Sequence, residues 1–338
     1  MKNNLYIITN ESLYYKNGSY YCDNIDLKSI PESLNEETNV FIIGRRSKKP
    51  RSKKVDIENI GVSSNIIFYL YLISKSFFKK KNKYLIISIS PYTFAASLFL
   101  KVFIKKKFIY LRSDGYKEYR SILGFIGPAI YHLMFTISAF TSSLISCRKH
   151  ILRGKSGYVV QPSQLNKNWL IPEKKIKINK NKLLYVGRIR KEKGIFSLIE
   201  IIENTDIKLT IVTSEKDNKK NLNYNNISVI NFENYNDEII KFYDEHSIFI
   251  LPSYTEGHPQ VLDEALARCR PVIVFEEISH VVRDRKGVFI SKRKTEALTE
   301  TIEHIVNNYE SIKNDIKSNA LPTKKNFTDE LKKIILKD

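Results

Sequence analysis

Two glutamates stand out, by type and spacing, as residues that could do chemistry. Glu256 and Glu264 flank seven positions in the stretch SYTEGHPQVLDEALA (253–267). Carboxylates accept hydrogen bonds from hydroxyl groups, so such a pair could hold the hydroxyls of a ribose or a sugar. We expect Glu264, inside a helix, to reach a ribose hydroxyl and Glu256 to lie at the edge of a cleft. Taken alone, Glu264 could equally be a solvated helix residue.

The segment around these glutamates predicts a strand, a turn and a helix. The run SIFILPS predicts a core strand ending at Pro252, and Pro259 fits the first helical position, where its missing N–H costs nothing. The N–H groups of Gln260 and Val261 would then point out of the helix start, and Gly257 would let the backbone approach a ligand closely. Because ligands of open α/β sheets bind at the carboxyl ends of strands, this turn is a candidate phosphate site.

A basic cluster lies earlier, in LLYVGRIRKEKG (183–194). Gly187 directly follows a predicted strand, and a helix opens near Gly194. Arg188 and Lys193 could clamp a diphosphate, since arginine supplies a planar fork of donors and lysine a point charge. An exposed basic loop would explain either residue alone. Both clusters in one α/β half favour a nucleotide site.

Short apolar runs alternate with helix-length segments along the whole chain. NVFIIG, KYLIISIS, KFIYLRS and SSLISC predict buried strands in the first half, as do LLYVGRI, KLTIVTS, ISVINF, SIFILPS and PVIVF in the second. This alternation predicts an α/β protein with parallel, doubly wound sheets. We expect two Rossmann-like domains facing each other across a cleft.

The predicted domain boundaries follow changes in composition. We expect residues 1–168 to form a basic first domain, and residues 169–182, which include Pro172 and many lysines, to form a linker. We expect residues 183–322 to form a second domain, which contains both clusters. We expect residues 323–338 to form a C-terminal helix that packs back on the first domain.

Cysteine usage and the amino terminus bear on the compartment. Cys22, Cys147 and Cys269 are few, odd in number and far apart, which argues against a disulfide framework or a zinc site. No basic-then-apolar leader precedes the strand-like run LYIIT. We therefore expect a cytoplasmic protein.

The net charge of +20 is concentrated in one half of the chain. Residues 1–170 hold 27 Lys and Arg against 10 Asp and Glu, and residues 171–338 hold 29 against 26. This asymmetry predicts a polyanionic partner for the first half, although a soluble basic surface would also explain it. The basic residues that we assign to an acceptor or a membrane surface are Arg45, Arg46, Lys48, Lys49, Lys79, Lys80, Lys105 and Lys106.

The segment from Ser121 to Cys147 contains no Asp, Glu, Lys or Arg. It is long enough to cross a bilayer, which needs about 20 apolar residues. It also contains Gly124, Gly127 and Pro128, and it ends in the strand-like SSLISC. We therefore expect a buried or interfacial helix followed by a strand, and a protein peripheral to the membrane.

The two motifs together resemble the donor half of GT-B glycosyltransferases. VGRIRKEKG followed by LPSYTEGHPQVLDEALA looks like the large retaining family 4, whose members share the E-x7-E pattern seen here from Glu256 to Glu264. The resemblance covers residues 183–310 well and the first half only in outline. It implies that residues 183–322 are the nucleotide-sugar donor domain and that the basic residues 1–168 are a membrane-facing acceptor domain. It implies that Arg188 and Lys193 hold the donor diphosphate, that Glu264 binds the ribose and that Glu256 contacts the donor sugar.

The resemblance also implies further roles. The backbone of His258, Pro259, Gln260 and Val261, with Gly187 and Gly257, would surround the phosphate and the sugar. No DxD metal motif is evident, so we expect neither a metal nor a cofactor, since two fixed cations balance the negative charge of the leaving group.

The chain departs from the family pattern at three places: Cys269-Arg270, the loop FEEISHVVRD, and Arg112-Ser113-Asp114-Gly115. Asp114 could contact the sugar or the acceptor nucleophile, or it could simply form a turn before Gly115.

The leading hypothesis is a metal-independent, retaining hexosyltransferase. It would move a sugar from a UDP- or GDP-sugar to a polyprenyl-diphosphate-linked or growing glycan, in bacterial capsule, lipopolysaccharide or O-antigen assembly. It would lie on the inner face of the cell membrane, at an anionic surface, without binding nucleic acid. Two alternatives remain: a nucleotide-sugar 2-epimerase-like enzyme, although the first half has no histidine before His132, and a basic nucleic-acid-binding protein.

Overall fold

The computed structural model describes residues 3–78, 82–170, 182–214, 225–232 and 237–337. The strands are β1 (Asn4–Lys16), β2 (Ser19–Cys22), β3 (Asn39–Arg46), β4 (Lys53–Val55), β5 (Asn59–Ser63), β6 (Lys83–Ile87), β7 (Lys107–Leu111), β8 (Ser143–Ser146), β9 (Gly157–Val159), β10 (Lys182–Val186), β11 (Lys208–Thr213), β12 (Ile227–Asn231), β13 (Ile248–Leu251), β14 (Val272–Phe275) and β15 (Val288–Ser291). The helices are α1 (Ile25–Leu34), α2 (Ile66–Ser74), α3 (Pro91–Val102), α4 (Gly115–Leu123), α5 (Gly127–Ala139), α6 (Ile195–Ile202), α7 (Ile240–Glu245), α8 (Gln260–Ala267), α9 (Thr295–Asn307), α10 (Tyr309–Lys317) and α11 (Lys324–Leu336).

The chain folds as two compact units. Unit 1 comprises residues 1–161 and 325–338, and unit 2 comprises residues 162–324. The predicted first domain extends to residue 168, beyond this division. The physical reason is that Leu165 and Trp169 are buried in the hydrophobic core of unit 2. Of the predicted linker 169–182, residues 171–181 lie outside the described residues.

Unit 1 is built on a mostly parallel sheet. Its parallel strands run in the order β5-β3-β1-β6-β7-β8-β9, and β2 and β4 extend the end of β1 as antiparallel strands. A tight turn joins β1 to β2, with Asn17 at φ 48° and Gly18 at φ 77°, the conformation that this Asn-Gly pair tolerates. In α11, Phe327, Leu331 and Ile335 are buried in the core of this unit.

Unit 2 contains a parallel sheet with the strand order β12-β11-β10-β13-β14-β15. Numbered from β10, this is the order 3-2-1-4-5-6 of a doubly wound nucleotide-binding fold, and its switch point lies between β10 and β13. β13 and β14 are buried at every position, as strands covered on both faces should be. The predicted α/β class with parallel, doubly wound sheets is confirmed.

The charge-free segment from Ser121 to Cys147 forms a short 3₁₀ turn (Gly124–Ile126), helix α5 and strand β8. This matches the expectation of a helix followed by a strand. The preceding helix, α4, folds against α5 rather than continuing into it. Helices α4 and α5 therefore form a helical hairpin, and strand β8 follows it.

Candidate active site

Two loops of unit 2 carry the candidate site, and the strand order brings them together. One loop follows β10 and contains Gly187 and Lys193, and the other follows β13 and contains Glu256. β10 and β13 pair as neighbours in parallel, so their carboxyl ends open at the same edge of the sheet. Residues far apart in the chain thus meet at the switch point.

The central contact of the site is an ion pair between Lys193 and Glu256. The Nζ atom of Lys193 lies 2.7 Å from Oε1 of Glu256, across 63 residues of chain. The hydroxyl of Ser253 donates to the same Oε1 at 2.7 Å. The side chains are only 22% and 11% exposed, so the attraction between the charges is weakly screened. The lysine ammonium has two further protons to donate to a ligand.

Backbone contacts hold the two loops in register. The N–H of Tyr254 donates to the carbonyl of Glu192 at 3.0 Å. Gly194 packs so tightly that a Cβ atom there would lie 1.9 Å from the carbonyl oxygen of Pro252, and its φ of +64° also favours glycine. The sequence thus needs glycine at this position for two separate reasons, and the close approach fixes the Lys193 backbone relative to the Glu256 loop.

Glu264 is nearly fully buried on α8, at 3% exposure. Its Oε2 atom accepts a hydrogen bond from the hydroxyl of Tyr243 at 2.8 Å. Tyr243, on α7, is itself fixed by an edge contact with Trp169 and by stacking on Phe249. The alternative of a solvated helix residue is therefore wrong, because the carboxylate is buried and held. Its role toward a ribose stays a prediction.

His258 is a buried, neutral histidine beside the helix start. Its Nε2 atom donates to the carbonyl of Pro162 at 2.8 Å, which places the proton on Nε2 because a carbonyl can only accept. Burial lowers the pKa of His258 to about 4, against the opposing attraction of Asp263. Asp263 is already paired with Arg285 through two contacts of 2.6 and 2.9 Å. The sequence predicted only a backbone role for His258. Its side chain also forms a hydrogen bond that links the loop before α8 to Pro162, at the start of unit 2.

The neutral state of His258 predicts a loss of stability in acid. Between pH 6.5 and about 4 the unfolded chain binds a proton that the folded chain cannot, so stability falls as the pH falls through this window. A shift of this size corresponds to about 3 kcal/mol. Urea unfolding at pH 7, 5.5 and 4 should show a shallower loss in His258→Gln, whose amide can still donate to Pro162. Equal losses in the two proteins would contradict the assignment.

The helix start differs in one detail from the sequence prediction. Pro259 is the residue before the first helical position, with an extended ψ of 102°, and α8 begins at Gln260. The prediction that Pro259 occupies the first helical position is therefore wrong by one residue. The reason is that His258 and Pro259 continue the extended loop that carries the histidine to Pro162. Val261 follows within the first turn.

The loop after β10 is shaped by a tyrosine. The hydroxyl of Tyr185 donates to the carbonyl of Arg188 at 2.8 Å, and a Cβ on Gly187 would lie 2.6 Å from that hydroxyl oxygen. The side chain of Arg188 is exposed. Gly187 is thus required sterically, and Arg188 is available to an anionic ligand. Gly257, which was also predicted to lie near the phosphate and the sugar, follows Glu256 in the second loop.

Two residues that sequence reasoning missed support the Glu256 loop. Arg293 lies between the rings of Tyr254 and Phe275, 4.2 Å from each centroid, and donates to the carbonyl of Pro252 at 2.9 Å. His280 lies 3.0 Å, through Nε2, from the backbone carbonyl of Glu256. In the sequence, His280 stands out only because it lies in the loop FEEISHVVRD, which departs from the family pattern. Nothing in the local pattern around Arg293 indicates a contact with a loop some forty residues earlier.

Comparison with known proteins identifies this half of the chain. Residues 167–321 match the family described as glycosyl transferases group 1. This region is a glycosyltransferase group 1 domain. The switch-point loops, with Lys193 and Glu256, lie within it.

Relatives of the glycosyltransferase domain are found among curated proteins. The chain is 31% identical over 198 residues to the capsular polysaccharide biosynthesis glycosyltransferase CapM of Staphylococcus aureus, covering 53% of this chain and 52% of CapM. It is 32% identical over 122 residues to a putative teichuronic acid biosynthesis glycosyltransferase, TuaC, of Bacillus subtilis, covering 35% of this chain and 31% of TuaC. The chain thus spans about half the length of CapM and about a third of that of TuaC.

Solved structures show the fold of the whole chain. Anabaena HepE in complex with UDP and glucose matches with a TM-score of 0.69 and 11% identity, over 100% of both chains. Sucrose-phosphate synthase from Thermosynechococcus elongatus matches with a TM-score of 0.70 and 12% identity, over 98% of both chains. The fold is therefore the α/β fold of the GT-B glycosyltransferases, as the resemblance implied.

Outside the glycosyltransferase domain, Asp114 has a well-defined structural setting. It caps α4, accepting from the N–H of Tyr116 at 3.1 Å, and it forms two contacts of 2.9 and 3.0 Å with Arg153. Arg112 pairs with Asp26 at 3.0 Å. The turn-forming alternative for Asp114 therefore describes its geometry, and a role in catalysis stays a prediction.

The basic residues assigned to an acceptor or a membrane lie in several settings. Arg45 is half-buried, with its guanidinium 4.9 Å from the ring centre of Tyr92. Lys105 lies over the ring of Phe77 at 5.4 Å. Arg46, Lys48, Lys49 and Lys106 are exposed, and Lys79 and Lys80 lie outside the described residues.

Within the described ranges, no group of three or more His, Cys, Asp or Glu side chains is arranged to hold a metal ion. The three cysteines are free thiols. The two cations predicted to bind a diphosphate, Arg188 and Lys193, both lie in the loop that follows β10.

Proposed function

We propose that this protein is a retaining glycosyltransferase of family 4, which transfers a hexose from a UDP- or GDP-sugar. The observation that carries the proposal is the partly buried Lys193–Glu256 ion pair, held at the switch point of a glycosyltransferase group 1 domain. A fixed cation and a fixed carboxylate at the carboxyl ends of two strands suit a ligand with one anionic and one hydroxylated end. The E-x7-E spacing from Glu256 to Glu264 supports the family assignment.

In this proposal each side chain acts on one part of the donor. Arg188 and Lys193 bind the diphosphate, and Lys193 stabilises the negative charge that grows on the leaving nucleotide. Glu256 accepts hydrogen bonds from hydroxyls of the sugar, and its Oε1 is already fixed by Lys193 and Ser253. Glu264 accepts a hydrogen bond from the ribose, with its carboxylate oriented by Tyr243.

The transfer itself needs no metal in this proposal. The new glycosidic bond forms as the bond between the anomeric carbon and the phosphate oxygen breaks, on the same face of the sugar. The leaving phosphate oxygen accepts the proton of the acceptor hydroxyl. The two cations balance the charge of the diphosphate, and no protein side chain is assigned as general base.

The acceptor is inferred from charge and from relatives. CapM is named for capsular polysaccharide biosynthesis, and TuaC for teichuronic acid biosynthesis. A polyprenyl-diphosphate-linked or growing glycan would complement the excess of basic residues in positions 1–170. We propose that the reaction takes place at the cytoplasmic face of the cell membrane, where the protein is peripheral.

The experiment that tests the donor site is a thermal-shift panel in EDTA. UDP, GDP and their sugars should raise the melting temperature, because a ligand that binds only the folded state stabilises it. One nucleobase should be preferred, and adding magnesium should leave the shift unchanged. Absence of stabilisation by every nucleotide would contradict the proposal, and a shift that depends on magnesium would contradict its metal-free part.

A product assay separates transfer from epimerisation. Incubation with the stabilising nucleotide sugar and a membrane extract that supplies acceptor should release free nucleoside diphosphate and label the lipid fraction. Conversion of the nucleotide sugar to its 2-epimer without an acceptor would instead favour the epimerase-like alternative.

A further inference from the structure

The helix pair α4–α5 has the composition of a membrane span but not its shape. Residues Gly115–Ala139 are long and apolar enough to cross a bilayer by length and composition, and only 28% of the apolar window is buried in the protein. The chain turns at Gly124, whose φ is +65°, and the 3₁₀ turn Gly124–Ile126 separates the two helices. We call residues 115–140 the apolar hairpin.

Close packing between the two helices excludes a straight span. A Cβ on Gly115 would lie 2.0 Å from the ring of Tyr131, and a Cβ on Gly127 would lie 2.0 Å from the carbonyl oxygen of Tyr119. In a straight helix Gly115 and Tyr131 would be separated by about 24 Å. The two glycines therefore allow the hairpin to close. A helix of nine residues paired with one of thirteen cannot reach across both leaflets.

The turn of the apolar hairpin presents large apolar side chains to solvent. Phe125 is 90% exposed and Ile122 is 72% exposed. Ile126, Leu133 and Phe140 are also more than half exposed. Exposed aromatic and aliphatic side chains at this density are unusual on a protein surface that contacts only water.

The apolar surface continues onto neighbouring helices. α5 packs on α3, and α3 packs on α2. The last residue of α3, Val102, is 74% exposed, and Ile104 in the turn that follows is 92% exposed. Lys101 lies over the ring of Phe140 at 5.6 Å. Lysines and exposed apolar residues thus alternate on the layer of helices α2, α3, α4 and α5 in unit 1. In such an arrangement the lysine side chains lie along the apolar surface and their ammonium groups extend into water.

The charge of this region selects the partner. Among the described residues between 66 and 139, one exposed charged side chain is acidic, Glu118, and the others are basic: Lys75, Lys101, Lys106, Lys117 and Arg120. Asp114 is buried and already paired with Arg153. A surface that is apolar and almost purely cationic complements an anionic lipid surface, and it would repel a second copy of itself.

We propose that the apolar hairpin inserts its turn, Ile122–Ile126, into the interface of an anionic bilayer, with the turn after α3 beside it. The lysines of the layer contact lipid phosphates, and the chain does not cross the membrane. This inference deepens the proposed function, because a lipid-linked acceptor would lie in the same surface. It stands on the exposure and charge of unit 1, so it can be tested apart from the donor site.

The test is binding of the full-length protein to vesicles. Wild-type protein should sediment with vesicles that contain phosphatidylglycerol and much less with pure phosphatidylcholine, and salt should weaken the binding. The double variant Phe125→Ser, Ile126→Ser should bind about tenfold more weakly or worse, since two large side chains lose their burial in lipid. Ile290→Ser, at a half-exposed isoleucine of unit 2, is the matched control and should bind as wild type does.

Several outcomes would overturn the proposal. Unchanged vesicle affinity of the double variant would remove the hairpin as the insertion point, and equal binding to neutral vesicles would remove the selection by charge. If the wild-type protein were a dimer that does not bind vesicles, and the double variant were a monomer, this face would instead be an interface between copies of the chain. The nucleotide thermal shift of each variant, read in parallel, shows whether the donor site is intact, so failure of one proposal is distinguishable from failure of the other.

Discussion

Replacing Lys193 with alanine should lower kcat by about 100-fold or more, since removing one fixed group that stabilises a developing negative charge typically costs this much. Affinity for the nucleotide sugar should fall much less, because Arg188 remains and the charge on the leaving oxygen develops only in the transition state. Steady-state kinetics, together with a binding isotherm for the nucleoside diphosphate, measures both effects. Lys191→Ala, in the same short 3₁₀ turn but exposed, is the matched control and should retain the wild-type rate.

Because Lys193 pairs with Glu256, replacing Lys193 affects the stability of the protein as well as its catalytic rate, and the two effects can be separated. Alanine at position 193 leaves a carboxylate that is only 11% exposed without its cation, so some loss of stability is expected. Glu256→Gln and the double variant complete a cycle that separates the energy of the pair from the effect on catalysis. A Lys193→Ala enzyme that is destabilised but turns over at full rate would show that the pair only holds the loop.

The second large effect is expected at Glu264. Replacing Glu264 with alanine should weaken binding of the nucleoside diphosphate by about tenfold or more, because a charged acceptor of a hydrogen bond contributes about 1.5–3 kcal/mol. The thermal shift produced by nucleotide should shrink accordingly. The affinity for the free sugar should be unchanged in Glu264→Ala, since this residue is assigned to the ribose of the nucleotide.

Tyr243 provides the control for Glu264. Tyr243→Phe removes the hydroxyl that donates to Oε2 at 2.8 Å but leaves the carboxylate in place. If Glu264 binds the ribose, Tyr243→Phe should weaken nucleotide binding less than Glu264→Ala does. If Glu264 only anchors α8 to α7, both variants should lower the melting temperature and neither should change nucleotide affinity in the protein that remains folded.

The sequence predicted well wherever the physical signal was local. Buried strands such as β13 and β14 are continuous apolar runs, and the alternation of such runs with helical segments identified the α/β class. The Asn17-Gly18 turn and the strand–turn–helix around Glu256 were also readable, because glycine and proline restrict the backbone directly. The one-residue error at Pro259 is of the kind expected at a helix boundary, where capping depends on the residues beyond it.

The contacts that could not be predicted from the sequence are mainly those of charged residues. Arg188, Lys193 and Glu256 were singled out by type, but nothing local indicated that Lys193 would pair with Glu256. No pattern in the sequence indicates a role for Arg293, although its side chain donates to the carbonyl of Pro252 in the same loop. Each contact joins segments that are adjacent only because β10 and β13 are neighbours in the sheet.

By itself, the sequence determined the strands, the glycine turns, the spacing of the two glutamates and the position of the positive charge. The tertiary structure decided which groups meet: Lys193 with Glu256, Glu264 with Tyr243, Asp114 with Arg153. It also decided that His258 is neutral and that the apolar segment folds back as a hairpin. The physical reason is that periodicity and backbone preference act over a few residues, whereas ion pairing, burial and pKa depend on the strand order that brings distant loops to one edge of a sheet.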